Sequence, residues 1–123
     1  MMLDAITTMA PNVRAGKLKA MGTTGKTRSS VLPDVPTISE AGVAGYEAGI
    51  WLGLMAPAGT PRPILERLNA EVNKVINAPE VKETWGKQGA LPMGMSVEQF
   101  DKFLRAEIVK WAGVVKATGL KVD

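Results

Sequence analysis

Gly45–Pro63 reads GYEAGIWLGLMAPAGTPRP, and the organisation of the chain turns on it. Ala48 to Ala56 is a nearly unbroken apolar run with Trp51 at its centre. Its length suits a strand, and Gly49 and Gly53 argue against a helix. An apolar run without alternation predicts a strand covered on both faces, as in an α/β sheet. Pro57-Ala58-Gly59 stops the run. Thr60 then stands where an N-cap belongs, with Pro61 at the first helical position. The stretch reads as a buried strand feeding a capped helix, with one structural unit before it and another after.

The flanking elements come from local signals. Before the strand, Asp4–Ala15 predicts a short helix interrupted by Pro11, with Gly16 as a C-cap and Arg14 near that end. Leu18–Thr23 predicts a short strand and Gly25–Ser30 a polar loop. Pro33 and Pro36 fix an extended path. Thr37 and Glu40 form a T-x-x-E capping box for about one helical turn, ending at Gly42. After the strand, a helix over 61–77 carries Ile64, Leu65, Leu68, Val72, Val75 and Ile76 on one face. Ala78-Pro79 restarts a second helix, closed by Gly86 and Gly89. Ala90–Met95 reads as a short extended piece. Ser96 and Gln99 cap a long helix that runs to about Thr118 and ends at Gly119. Leu120–Asp123 reads as a final short strand.

Composition narrows the function. At 123 residues one domain is the expectation. No apolar run is long enough to span a membrane. The start, MMLDAITTMAP, has neither the basic nor the apolar region of a signal peptide. The chain has no Cys and no His, which removes disulfides, the usual zinc sites, thiol nucleophiles and any Ser–His–Asp triad. That balance favours binding over catalysis. The net charge is +3, and residues 1–30 hold Arg14, Lys17, Lys19, Lys26 and Arg28 against Asp4 alone. A basic first quarter steers anions; read blandly, it is a solvated surface. It has no aromatic residue to stack a nucleic-acid base.

Three motifs have both a sharp and a bland reading. Ala20–Thr27, AMGTTGKT, fits a relaxed Walker A pattern, with Lys26 for the outer phosphates and Thr27 for Mg²⁺. The helix whose N-terminus must face the phosphate does not come next in the sequence, where Arg28–Pro33 is a poor helix start. A polar loop is the plainer reading. The pairs Glu66/Glu71 and Glu80/Glu83 read as solvated helix faces rather than acid/base pairs. Trp85 and Trp111 sit on helix faces with apolar partners and read as core. Trp51 sits at a Gly-flanked point between the two units, where clefts form.

The ordered set GKLKAMGTT, then Arg28, then LPDVPTISEAGVAGYE, then W-x-G-L-x-A-P-A-G-T-P resembles the Bug family, the periplasmic receptors of tripartite tricarboxylate transporters. L-N-x-E-V-N-K, P-E-V-K, Q-G-A and Lys110-Trp111 extend the resemblance across essentially the whole chain. It implies an α/β fold, the C-terminal part of a two-domain type II periplasmic-binding-protein architecture. Residues 1–45 would end the second domain, and residues 46–123 would supply a crossing strand and the C-terminal half of the first domain. It implies a small carboxylate ligand: a dicarboxylate, a tricarboxylate, an acidic amino acid or a nicotinate-like compound. It also implies a periplasmic location, a membrane permease as partner, no enzymatic step and no cofactor.

Family members are more than twice this length, so the resemblance covers their C-terminal portion, without the signal peptide or the first βα units. Asp4 matches an acid at the cleft end of a second-domain strand, and Trp51 matches the crossing strand. These two are the candidate ligand-binding residues; for Asp4 the alternative is a helix N-cap. A strand at 48–56 without its neighbours leaves an edge and an apolar face open, so the expectation is a homodimer, by domain swapping, or pairing with a separate fragment. Two other readings stand beside the receptor: a self-associating remnant without ligand, and a nucleotide-binding protein using Ala20–Thr27.

Overall fold

The computed structural model describes residues 1–120, which form four helices: α1 (Ile6–Arg14), α2 (Arg62–Ile76), α3 (Pro79–Lys87) and α4 (Val97–Thr118). Residues 121–123, within the expected terminal strand, lie outside the described residues. The chain divides into two compact units. One comprises Met1–Met55 with Ile76–Pro92, the other Ala56–Val75 with Met93–Asp123. Residues 46–55 therefore group with the first 45 rather than with α2 and α4.

In the first unit, α1 and α3 end in the same way. Lys17 N–H donates to the Asn12 carbonyl at 2.9 Å and Gly16 N–H to Val13 at 3.0 Å. Ala90 N–H donates to Trp85 and Gly89 N–H to Gly86, both at 3.0 Å. Each pair is a Schellman closure with a left-handed glycine, Gly16 at φ 70° and Gly89 at φ 80°. Gly89 is also a packing point, because a Cβ there would stand 2.8 Å from Val31 Cγ2 and 3.2 Å from Ile6 Cγ2. Helix α1 runs through Pro11 instead of breaking there. Pro11 lacks the one N–H that would donate there, and the helix carries through that position.

Around Ala10 and Leu32, which are buried, the 20–48 segment is tied by backbone bonds. Thr23 N–H donates to Pro36 and Ile38 N–H to Thr23, both at 2.9 Å, making one parallel bridge between Thr23 and Thr37. Ala48 N–H donates to Thr24 at 2.9 Å. That bridge is the whole of the strand pairing among the described residues. The strands expected at Leu18–Thr23 and Ala48–Ala56 are not formed, and the described residues are a helical assembly rather than a sheet covered by helices. The physical reason is pairing. A strand exists through its neighbours' ladder, and the described residues supply no neighbouring strand for the 48–56 run. Most of its large side chains are exposed, not covered on both faces.

In the second unit, α2 and α4 are tied by polar contacts. Asn69 and Asn73 each donate from Nδ2 to the Met95 carbonyl at 2.9 Å, just ahead of α4. Arg62 pairs with Glu66 at 2.7 Å and with Glu98 of α4. The Ser96 capping box is complete: Gln99 N–H donates to Ser96 Oγ at 3.2 Å, and Ser96 N–H to Gln99 Oε1 at 2.8 Å. Gly119, at φ 65°, ends the helix as expected. Phe100 and Phe103 stack with centroids 6.3 Å apart. At the start of α2 the expected cap differs: Thr60 Oγ1 donates to the Pro57 carbonyl at 2.8 Å, and Pro61 flanks the helix while its carbonyl receives Ile64 and Leu65 N–H. Trp85 and Trp111, expected in the core, are 40% and 41% exposed. Trp111 Nε1 donates to Glu107 Oε2 at 3.0 Å.

Candidate functional site

The structure places both sequence-derived candidates, Asp4 and Trp51, in the first unit. Asp4 is exposed and stands immediately before α1. Its Oδ1 accepts the Ala5 N–H at 2.7 Å. Ala5, not Asp4, is the N-cap: its φ/ψ is −64°/137°, and its carbonyl accepts Thr8 and Met9 N–H at 3.1 Å. Asp4 therefore stands one residue outside the helix, with its carboxylate on the amide of the cap residue. A carboxylate beside a helix N-terminus is favourably placed against the helix dipole. Trp51 is half-buried, between the exposed side chains of Ile50 and Leu52. Its indole has an apolar face and one N–H group.

The densest polar arrangement in the unit lies elsewhere. Thr37 is 1% exposed, and its hydroxyl accepts Glu40 N–H at 3.1 Å. Glu40 Oε2 receives Thr37 N–H at 2.9 Å and Arg28 Nε at 2.8 Å. Arg28 reaches on to the Pro33 carbonyl at 3.3 Å. The capping box predicted at Thr37 and Glu40 is thus built, around a single turn closed by Ala41 N–H on the Thr37 carbonyl at 3.0 Å. The Thr37 amide, and after it the Arg28 guanidinium, hold the Glu40 carboxyl below its ordinary range. Arg28, grouped by sequence with a solvated basic surface, fastens the 28–41 loop. The signal was there: an arginine a few residues ahead of LPDVPT with a capping glutamate beyond it.

The Ala20–Thr27 loop lacks the frame that phosphate binding needs. No strand leads into it, no helix directly succeeds it, and Lys26 is exposed. Glu66 and Glu83 pair with Arg62 and Lys87 on their own helices, as solvated faces do. No group of three metal-ligating side chains occurs among the described residues.

Solved structures and a curated relative resemble this chain over most of its length. The structure of Rhodopseudomonas palustris Rpa4515 with adipate matches 94% of this chain at a TM-score of 0.84 and 34% identity. MatC from R. palustris, with bound malate, matches 91% at a TM-score of 0.80 and 38% identity. BugT of Bordetella pertussis is 37% identical over 111 residues, 90% of this chain. The chain spans only 34% of BugT and 39% of each of the two structures. Its fold thus matches a portion of each of these structures. The model of the tripartite tricarboxylate transporter family receptors matches residues 1–120, and the chain belongs to that family. Members of the family are periplasmic receptors.

Proposed function

We propose that this chain acts in the periplasm as part of a receptor for small dicarboxylates, which it presents to the membrane permease of a tripartite transporter. The observation that carries this reading is the 94% match to an adipate-bound structure at a TM-score of 0.84. The malate bound to MatC supports the same ligand class. The receptor binds and releases its ligand without changing it, so no enzymatic step or cofactor is required.

In the assembled receptor, residues 1–45 belong to the second domain, and residues 46–123 supply the crossing strand and the C-terminal half of the first. The 48–56 run is the crossing strand, and it becomes a ladder only when neighbouring strands are supplied. Asp4 and Trp51 line the ligand cleft. The chemistry assigns them different tasks. Asp4 is an acceptor only and repels a carboxylate at contact distance, so it serves a ligand hydroxyl, an ammonium or a bridging water. Trp51 covers the carbon skeleton of the ligand with its indole face.

A thermal melt with malate, adipate, succinate, citrate, glutamate, nicotinate and Mg-ATP tests the reading. A ligand at about a hundred times its Kd adds roughly 2.7 kcal/mol of stability. For a domain this small that raises Tm by on the order of ten degrees. The expected result is a shift with one or more dicarboxylates. A cooperative melt that no carboxylate moves, or a shift with Mg-ATP alone, would overturn it.

A further inference from the structure

We infer that Arg28 and Glu40 are positioning residues for the proposed ligand site: the loop they fasten sets the place of both Asp4 and Trp51. What the site binds rests on the receptor reading above; the placement rests on contacts within the first unit.

The 28–41 loop touches both elements that carry the candidates. On one side it meets α1. A Cβ on Gly89 would stand 2.8 Å from Val31 Cγ2 and 3.2 Å from Ile6 Cγ2, so the loop and the first residue of α1 pack against the same backbone point. Asp4 lies just ahead of Ile6, with its carboxylate on the Ala5 amide. On the other side the loop meets the start of the 48–56 run. Thr23 N–H donates to the Pro36 carbonyl and Ile38 N–H to the Thr23 carbonyl, so Thr37 is bridged to Thr23. The next residue, Thr24, accepts the Ala48 N–H at 2.9 Å, one short step along the chain from Trp51.

The Arg28–Glu40 pair joins the two ends of this loop. One carboxylate oxygen, Glu40 Oε2, receives Arg28 Nε at 2.8 Å and the Thr37 amide at 2.9 Å. The group that holds Arg28 therefore also holds the buried residue that is bridged to Thr23. A shift of Arg28 reaches Ala48 through an unbroken series of hydrogen bonds and chain neighbours, and it reaches Ile6 through Val31. The pair itself is half exposed, 47% on each partner. Such pairs add little to global stability. Removing this one moves the loop while the chain stays folded, which separates positioning from a purely structural role.

The chain has three tryptophans, so Trp85→Phe with Trp111→Phe leaves Trp51 as the sole indole. In that background, without ligand, Arg28→Met is expected to move Trp51 emission to longer wavelength and to raise its quenching by acrylamide, with helical circular dichroism retained. Arg28→Lys, which keeps a cationic donor for Glu40, is expected to restore most of the native signal. Lys26→Met removes the same charge from an exposed neighbouring side chain and is expected to change neither readout. Should Arg28→Met not fold, Glu40→Gln carries the same test. Unchanged Trp51 emission and quenching in the folded variant, or an equal change in Lys26→Met, would overturn the inference whatever the chain binds.

Calorimetric titration with malate or adipate adds a second arm. Arg28→Met is expected to lose about tenfold in affinity beyond the loss in Lys26→Met, and its loss to be less than additive with that of Trp51→Ala. Additive losses would overturn the inference too. A native chain that binds no dicarboxylate sinks the receptor reading and leaves the fluorescence result to decide the positioning role.

Discussion

Arg28, Thr37 and Glu40 hold the 28–41 loop through one carboxylate that serves two donors at once. Because the folded state depresses the Glu40 pKa, its contribution is present above the unfolded value, about 4.3, and is lost as pH falls through the lower folded value. Asp101, held down by Arg105, acts in the same direction. The native chain should therefore lose melting temperature as pH drops from about 5 to about 3. Glu40→Gln keeps the capping geometry but not the charge. A pH series of melts should show a shallower acid slope for that variant, and an unchanged slope would contradict the assignment. Gly89 gives a second residue-scale test. Gly89→Ala adds a left-handed penalty of about 1–2 kcal/mol and drives a methyl into Val31 and Ile6. Gly16→Ala has the same φ sign but meets nothing within 4 Å. Denaturant titration should rank Gly89→Ala as clearly the more damaging, and equal losses would show that the contact with Val31 yields freely.

Helices were legible in this sequence and strands were not, and the difference is physical. Ser96, Gln99 and Gly119 mark the ends of α4 by bonds made within four residues, and all of them are in place. Gly16 and Gly89 close α1 and α3 by the same local logic, and the T-x-x-E box at Thr37 forms even where its helix lasts only one turn. Pro11, expected to interrupt the first helix, lies within a nine-residue α1 that accommodates one missing donor. The 48–56 run carries strand character in its side chains, but a ladder needs a second strand, and pairing is information a single stretch does not contain. The same holds for Trp85 and Trp111, whose apolar neighbours suggested a core that these residues do not form. The candidates Asp4 and Trp51 rest on resemblance alone, while the role of Arg28 follows from its spacing to the Thr37–Glu40 box, a signal that becomes plain once the loop closes. The cap of α4 supplies an element-scale test. Ser96→Ala should cost about 1 kcal/mol, read as reduced stability with α4 fraying at its first turn by amide exchange. No change would mean that the Asn69 and Asn73 bonds to Met95 fix that end without the cap.

At the scale of the whole molecule, the chain belongs to the receptor family, spans about a third of its relatives' length and exposes many large apolar side chains. Its first thirty residues carry a net positive charge, and Arg14, Lys17, Lys19 and Lys26 are exposed. That surface favours the approach of dianions, so the association rate of a dicarboxylate should fall as salt rises, while that of a neutral compound should not. The measurement that bears most directly on the receptor reading is calorimetric titration of the native chain with malate and adipate, repeated for Asp4→Asn and Trp51→Ala. The account predicts saturable binding of at least one dicarboxylate. It also predicts a loss of about tenfold or more, roughly 1.4 kcal/mol, in each variant that remains folded. Absence of any saturable heat from a cooperatively folded native chain, or unchanged affinity in both variants, would contradict it.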